Sequence, residues 1–140
     1  MFIKFDPRVH TYAFRLTEKS CYALGNNGIC SLKLSSTEAS IISRNERTDP
    51  EASVMYCRKL KEEIEKDDYL NKEFPIELIK NACNHYTFLN GQHRTCIAKQ
   101  SGIESLNVIY QVEDSQCPHC LGVNANMIID DKELYNIGGN

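Results

Sequence analysis

The segment that most constrains the fold covers residues 85–102, HYTFLNGQHRTCIAKQSG, and it predicts a strand, a tight turn and a helix in direct succession. Aromatic and polar side chains alternate over residues 86–88, as in a half-buried strand. Gly91 has no Cβ, so the backbone can turn sharply there and a ligand can approach it closely. The helix is predicted to begin two or three residues later and to stop at Gly102, a residue type common just after a helix.

The start of this helix is a candidate anion site. A helix N-terminus presents unpaired N–H groups and the positive end of the helix dipole. His93 and Arg94 add cationic side chains at the same point, and phosphate is the anion that such a site suits best. Gln92, Thr95 and the Gly91 backbone would add neutral donors. The alternative is an ordinary strand–turn–helix whose two cations are simply solvated.

The composition predicts a protein that folds as one unit in water. The chain has 140 residues, of which 41% are hydrophobic and 25% charged, and its formal net charge is −3. This charge argues against a broad nucleic-acid-binding surface, although a local basic groove stays open. No apolar run approaches the roughly 20 residues that cross a bilayer, and the first residues lack the apolar stretch of a signal peptide. We therefore predict a cytoplasmic protein without membrane contact.

Hydrophobic periodicity and turn signals predict the remaining elements. A helix is expected to start at Asp49-Pro50-Glu51, where Asp49 would cap it and Pro50 fits its first turn. Residues 36–50 otherwise look polar and irregular, and residues 113–126 look like a loop. The expected strands and helices, in chain order, are strand 11–16, strand 29–34, helix 50–66, strand 74–79, the strand and helix within 85–102, strand 106–112, and a short strand or helix at 127–134. Short strands between two helices indicate a compact α+β domain.

The chain has seven cysteines, and one pair has a spacing that suggests chemistry. Most are expected to be small apolar core residues in a reducing compartment. Cys117-Pro-His-Cys120 has three interpretations: half of a zinc site, a redox pair, or two incidental thiols. A zinc site needs two more ligands, for which the candidates are Cys21, Cys30, Cys83 and His85; the spacing does not choose among them.

With its elements in this order, the chain resembles the ParB/sulfiredoxin superfamily over residues 29–112. The centre of the resemblance is Gly91-Gln-His-Arg94, which is similar to the Gly-Glu-Arg-Arg of ParB proteins and the Gly-Cys-His-Arg of sulfiredoxins. Residues 72–77, with a Pro-Ile pair, resemble the strand that precedes this motif, and residues 102–109 resemble the strand that follows it. The resemblance implies a small mixed sheet with helices packed on it. It also implies three parts: an N-terminal addition at 1–28, the core at 29–112, and a C-terminal extension at 113–140 carrying the CPHC sequence.

The same resemblance implies that residues 91–94 contact the phosphates of ATP or CTP. Mg²⁺ would be a further cofactor if the protein transfers or hydrolyses a phosphate, and the spacing of Cys117 and Cys120 makes them candidate ligands of Zn²⁺. Lys72 would approach the phosphates from the neighbouring strand, although it also fits an exposed loop. Gln92 stands where sulfiredoxins have their nucleophilic cysteine, so sulfinic-acid repair is not expected. The later Glu-Asn-x-x-Arg motif of ParB proteins and their helix-turn-helix region are not found, so a chromosome-partitioning clamp is not expected either.

Two classes of function follow from this interpretation. The first is a nucleotide hydrolase or phosphotransferase, for which the resemblance suggests Glu46 and Glu51, with Asp49, as catalytic carboxylates. The second is a non-catalytic module in which a bound nucleotide sets conformation or the choice of a protein partner. A ParB-like DNA-binding or nuclease protein is a third alternative, which the acidic balance disfavours. The sequence does not predict the oligomeric state.

Overall fold

Six strands form one mixed sheet in the computed structural model, which describes residues 3–66, 75–122 and 127–129. The strands are β1 (Ile3–Phe5), β2 (Thr11–Arg15), β3 (Ile76–Lys80), β4 (His85–Asn90), β5 (Leu106–Val112) and β6 (Met127–Ile129). Their order across the sheet is β1-β5-β3-β4-β2-β6. The pairs β5–β3 and β4–β2 are parallel, and the other three pairs are antiparallel. The expected mixed sheet combined with helices is therefore present.

The first 28 residues contribute two strands to this sheet. β1 pairs with β5 at one edge, and β2 lies between β4 and β6 near the other. β4 leads into the candidate anion site, and β2 is its parallel neighbour, with Thr11 opposite His85 and Tyr12 opposite Tyr86. Residues from the start of the chain are consequently placed beside that site.

Four α-helices and four short 3-10 turns are found in the described residues. The helices are α1 (Ser36–Asn45), α2 (Tyr56–Lys66), α3 (Gln92–Gln100) and α4 (Pro118–Leu121). The 3-10 turns are Pro7–Val9, Ala23–Gly25, Ser31–Lys33 and Pro50–Ala52. No helix in the described part of the chain is long and apolar enough to cross a membrane.

The main core lies between the sheet and α3. Tyr12, Phe14 and Phe88 pack ring against ring, with centroids 5.2–5.7 Å apart. Burying one such side chain stabilises the fold by about 1.5–3 kcal/mol. The buried members of this core are Phe5, Tyr12, Phe14, Leu16, Ile76, Leu78, Tyr86, Ala98, Leu106 and Val108. Because Ala98 of α3 is in this cluster, the core fixes α3, and hence its first turn, against the sheet.

The expectation that residues 36–50 are irregular is wrong, because Ser36–Asn45 form α1. Ser35 accepts a hydrogen bond from the Glu38 amide, and the Glu38 carboxylate accepts one from the Ser35 amide. This reciprocal cap satisfies two donors at the helix start. Only Ala39 of α1 is buried, so the helix has almost no apolar stripe to reveal its period.

The predicted strand at 29–34 is also wrong, because this segment contains the 3-10 turn Ser31–Lys33. The Arg58 guanidinium of α2 donates to the Ser31 carbonyl at 2.9 Å and to the Leu34 carbonyl at 2.7 Å. Carbonyls that a strand would offer to a neighbouring strand are therefore satisfied by a side chain instead.

The predicted helix at 50–66 is interrupted. Pro50–Ala52 form a 3-10 turn, Ser53 is extended, and α2 starts only at Tyr56. The Glu46 carboxylate accepts a hydrogen bond from the Val54 amide at 2.7 Å, which holds the chain in this break. Asp49 lies at the N-cap of the 3-10 turn but makes no capping hydrogen bond there, contrary to expectation.

Other predictions are confirmed closely. The strand expected at 11–16 is β2, the strand at 106–112 is β5, and the strand–turn–helix is β4, Gly91 and α3. The strand expected at 74–79 is β3, and Phe74 lies outside the described residues. The segment at 113–126, expected to be a loop, contains the short helix α4, and residues 123–126 lie outside the described residues. Of the element expected at 127–134, the structure describes only β6.

Candidate ligand cleft and candidate metal centre

A cleft of about 370 Å³ opens at the start of α3. We call it the α3 cleft. Its walls come from β2, from α2, from β4 together with the first turn of α3, and from β6. Four parts of the chain that are distant in sequence therefore meet there. The lining residues are Ala13, Arg15, Tyr56, Leu60, Phe88, Leu89, Asn90, Gly91, Gln92, His93, Arg94 and Met127. The predicted residues Gly91, Gln92, His93 and Arg94 all belong to this lining.

Gly91 allows the sharp turn from β4 into α3. Its φ is +94°, in the left-handed region, and it is the N-cap of α3. A Cβ at this position would lie 2.8 Å from Cγ1 of Ile76, a fully buried core residue of β3. Both the backbone conformation and the available space therefore require glycine.

Replacing Gly91 by alanine should lower the free energy of unfolding by about 2–4 kcal/mol, from left-handed strain and overpacking against Ile76. The matched control is Gly102→Ala. Gly102 also has a positive φ, of +73°, but among the described residues no atom beyond its chain neighbours lies within 4 Å of its Cβ position. The control should lose only the strain, about 1–2 kcal/mol. Urea denaturation of both variants checks this, and equal losses would contradict the contact with Ile76.

Gln92 ties the start of α3 to β2. Its side-chain oxygen accepts a hydrogen bond from the Arg15 amide at 3.0 Å, and its side-chain nitrogen donates to the Arg15 carbonyl at 3.1 Å. Both functional groups of the side chain are thus engaged by the protein backbone. Gln92 positions the cleft wall and brings Arg15 beside the first turn of α3.

His93 is held by the segment that precedes α2. Its Nε2 lies 2.9 Å from a Glu51 carboxylate oxygen, and its ring packs edge-on against Tyr56 with centroids 5.1 Å apart. Burial lowers the pKa of His93, and the Glu51 hydrogen bond offsets this only in part. The imidazole is therefore neutral at pH 7, where it is a hydrogen-bonding group rather than a cation.

Cys57 completes a thiol–imidazole–carboxylate series, because its Sγ lies 4.0 Å from Nδ1 of His93. The same order of groups activates thiol nucleophiles in enzymes. Burial, however, raises the pKa of Cys57 to about 12, so the thiol is protonated at neutral pH. The thiol also lines a cavity of only about 20 Å³, which is too small for a substrate. The series therefore serves packing.

The lowered pKa of His93 predicts a loss of stability in mild acid. In the unfolded chain the His93 imidazole takes up a proton near pH 6.5, and in the folded chain it does so only at lower pH. The free energy of unfolding therefore falls as the pH drops between these two values. Each unit of difference corresponds to about 1.4 kcal/mol. His93→Asn should reduce the loss between pH 7.5 and 5.5, measured by urea denaturation. Arg8→Gln, which leaves His93 intact, is the control and should keep the wild-type loss; an unchanged loss in His93→Asn would contradict the assignment.

Arg94 brings a fixed positive charge to the cleft wall. The residue is only 7% exposed yet lines the cleft, on the first turn of α3. Burial lowers the pKa of its guanidinium, and nearby Tyr56 opposes this shift. An arginine keeps its charge near neutral pH even so. Arg15 lines the same cleft, so two arginines contribute to its wall.

The other predicted residues of this site lie elsewhere. Thr95 is fully buried, and its hydroxyl donates a hydrogen bond to the Gly91 carbonyl at 2.9 Å. This bond stabilises the turn from β4 into α3. Glu51 is paired with His93 and is not among the lining residues. Glu46 holds the Val54 amide and lines a separate depression together with Asp49. Lys72 lies outside the described residues.

Four side chains that could hold a metal ion converge at the other end of β4. They are Cys83, His85, Cys117 and Cys120, and their ligand atoms all lie within 4.8 Å of one another. Nδ1 of His85 lies 3.7 Å from the Cys117 sulfur and 3.2 Å from the Cys120 sulfur. We call this group the Cys₃His cluster. Of the four ligand candidates considered from the sequence, Cys83 and His85 are the two that join it.

Local backbone geometry creates the cluster. Cys83 lies in the β3–β4 connection, where Asn84 has a left-handed φ of +65°. The Ala82 amide donates to the Ser115 carbonyl at 2.9 Å, which joins this connection to the chain before α4. Cys117 is the N-cap of α4, and Cys120 follows one turn later. The two segments that carry the thiols are thereby held face to face.

Electrostatics within the cluster favour ionisation of one thiol. Desolvation opposes a charge on Cys83, but hydrogen bonds from the Cys117 and His85 backbones and from neighbouring thiols outweigh it and lower its pKa. The Cys117 amide donates to the Cys83 sulfur at 3.4 Å. Desolvation and the two neighbouring thiols raise the pKa of Cys120. A second thiolate beside the first needs a compensating cation, which a metal ion would supply.

His119 of the CPHC sequence has a different partner. Its Nδ1 lies 3.1 Å from the Met127 carbonyl oxygen of β6. A carbonyl can only accept, so Nδ1 carries the hydrogen and donates. His119 thus joins α4 to β6 while the cysteines on either side of it face the cluster.

The comparisons with known proteins return no match: neither a protein-family model, nor a curated protein, nor a solved structure is significantly similar to this chain. The geometry of the α3 cleft and of the Cys₃His cluster therefore carries the functional argument.

Proposed function

We propose that the α3 cleft binds the phosphate group of a nucleotide-sized ligand, with ATP and CTP as the first candidates from the ParB/sulfiredoxin resemblance. The observation that carries this proposal is the place of Arg94, a buried arginine that lines an open cleft at a helix N-terminus. Guanidinium groups bind phosphate oxygens in pairs, and the helix dipole adds to the attraction.

The rest of the cleft suits such a ligand. Its volume of about 370 Å³ lies within the range of small-molecule sites. Leu60, Phe88, Leu89 and Met127 provide an apolar wall against which a base or sugar can pack, while Arg15 and Arg94 lie on the polar side. No Asp or Glu is among the described lining residues, so the described wall repels no anion.

This distribution of charge favours binding without turnover. Phosphoryl transfer generally needs Mg²⁺ and a group that positions or deprotonates the nucleophile. Glu51 reaches the cleft only through His93, and Glu46 is engaged by the Val54 amide. We therefore favour a non-catalytic module over a hydrolase or phosphotransferase, and over a DNA-binding or nuclease protein, which would need a more basic surface.

Isothermal titration of the full chain with ATP, CTP and pyrophosphate tests the proposal, alongside an assay of released phosphate with Mg²⁺ present. We expect saturable binding of at least one of the three and no phosphate release above that of a Glu46→Gln/Glu51→Gln double variant. Absence of binding would reject the proposal. Release that the double variant lacks would instead establish the enzyme.

We also propose that the Cys₃His cluster holds Zn²⁺ as a structural ion. Three thiols and an imidazole are a common structural zinc set, and tetrahedral bonds of about 2.0–2.3 Å would place the ligand atoms roughly 3.5–4 Å apart. The separations of 3.2 and 3.7 Å from Nδ1 of His85 are close to this spacing. Four protein ligands would leave no open position, which is typical of a structural rather than a catalytic ion.

A further inference from the structure

A small hydrophobic cluster connects the Cys₃His cluster with the α3 cleft, although the two sites lie at opposite ends of β4. Cys83 and Cys117 pack in one small hydrophobic cluster with Ala13, Met127 and Ile129. Ala13 and Met127 of this cluster also line the α3 cleft. The same side chains therefore contact the metal ligands on one side and a ligand space on the other.

β6 is a short wall of the cleft at the edge of the sheet. Within the part of the chain that the structure describes, it has three residues and pairs only with β2, where Arg15 lies opposite Met127. A short edge strand gains little from its own ladder and needs support from outside the sheet. The described support is α4, whose His119 donates to the Met127 carbonyl at 3.1 Å.

α4 in turn depends on the cluster. The helix has only four residues, too few to be stable alone, and its N-cap Cys117 and its third residue Cys120 are two of the four metal ligands. A bound metal would fix α4 from both sides of His119. This gives a continuous chain of contacts from the metal through His119 to Met127 and the cleft.

We infer that His119 is a positioning residue that makes the α3 cleft dependent on metal: with the cluster loaded, His119 holds β6 as a wall of the cleft, and without metal this wall is released. The inference rests on the two proposed functions, a metal at the Cys₃His cluster and a phosphate-bearing ligand in the cleft. It assigns to the metal a regulatory role that a purely structural ion would lack.

Hydrogen–deuterium exchange of the full chain tests the first half without any ligand. We expect the β6 amides at 127–129 to exchange roughly threefold to tenfold faster in zinc-loaded His119→Ala, and in zinc-free wild type, than in zinc-loaded wild type, as for loss of one hydrogen bond. His119→Asn should restore slow exchange, because its amide nitrogen can donate from a similar position. All three proteins should hold the same amount of zinc by mass spectrometry, since no ligand is altered.

Titration with the nucleotide or pyrophosphate that binds most tightly tests the second half. Affinity should fall about threefold to tenfold in His119→Ala, recover in His119→Asn, and fall further in zinc-free wild type. Equal exchange at 127–129 in all forms, or equal affinity of the loaded wild type and His119→Ala, would overturn the inference. If no probe binds any form, the proposed ligand function fails, and exchange at 127–129 alone decides whether metal controls the cleft wall.

Discussion

Arg94→Ala should weaken binding of the phosphate-bearing ligand by about 30-fold or more. Removing one partner of a buried, hydrogen-bonded charge pair costs about 2–5 kcal/mol, and about 2 kcal/mol already corresponds to 30-fold in affinity. Arg94 qualifies because it is 7% exposed and lies on the cleft wall, where water screens its charge little. Isothermal titration with the three probes, before and after substitution, measures the effect.

Two further variants make this result specific. Arg94→Lys keeps the charge but loses the planar fork, so it should retain only part of the affinity. Arg8→Gln changes the net charge of the protein by the same amount as Arg94→Ala. Arg8 is exposed, pairs with Asp6 at 2.8 Å and lies away from the cleft. It should bind like the wild type. If Arg8→Gln and Arg94→Ala weaken binding equally, the effect is one of overall charge, and the assignment of Arg94 is wrong. Circular dichroism shows whether each variant is folded.

Cys117→Ser should remove the bound zinc and much of the stability that the ion provides. A ligand that binds only the folded state at a thousand times its dissociation constant stabilises that state by about 4 kcal/mol. Cys117 is fully buried and is both the N-cap of α4 and a member of the cluster. Its substitution therefore removes a buried metal ligand at the start of the helix. Zinc content by mass spectrometry and thermal unfolding measure the two effects.

The matched control is Cys30→Ser, which alters a half-buried thiol outside the cluster. Its zinc content should equal that of the wild type, and chelation should lower the unfolding temperature of both to a similar extent. In Cys117→Ser, chelation should change the unfolding temperature only slightly. A Cys117→Ser protein that still holds one zinc per chain would contradict the proposed ligand set.

The sequence indicates which residues meet at the start of α3 more directly than which residues form the Cys₃His cluster, and the reason is physical. Gly91, His93 and Arg94 are consecutive or nearly so, and a strand–turn–helix fixes their relation locally. The cluster joins Cys83 and His85 to thiols more than 30 residues away, which only the sheet topology and the β3–β4 connection bring together. His85 was a candidate ligand, but nothing local distinguishes it from His93.

Two errors in the fold also have physical causes. α1 was missed because its one buried residue, Ala39, leaves no apolar period, although Ser35 and Glu38 form a capping box that the sequence displays. The segment at 29–34 alternates like a strand, yet Arg58 captures its carbonyls from a helix distant in sequence. The contribution of Met127 to the cleft had no local signal either, because it depends on β6 pairing with β2.

The position of β2 has a consequence for synthesis of the protein. Its residues 11–15 leave the ribosome early, but both neighbouring strands, β4 and β6, belong to the second half of the described chain. Pairing over such long sequence separations is slow, and an unpaired strand rich in aromatic residues is prone to aggregate. Tyr12 and Phe14 therefore lack their partners in β4 until translation has passed Asn90, and β2 lacks its other neighbour, β6, until translation has passed Ile129.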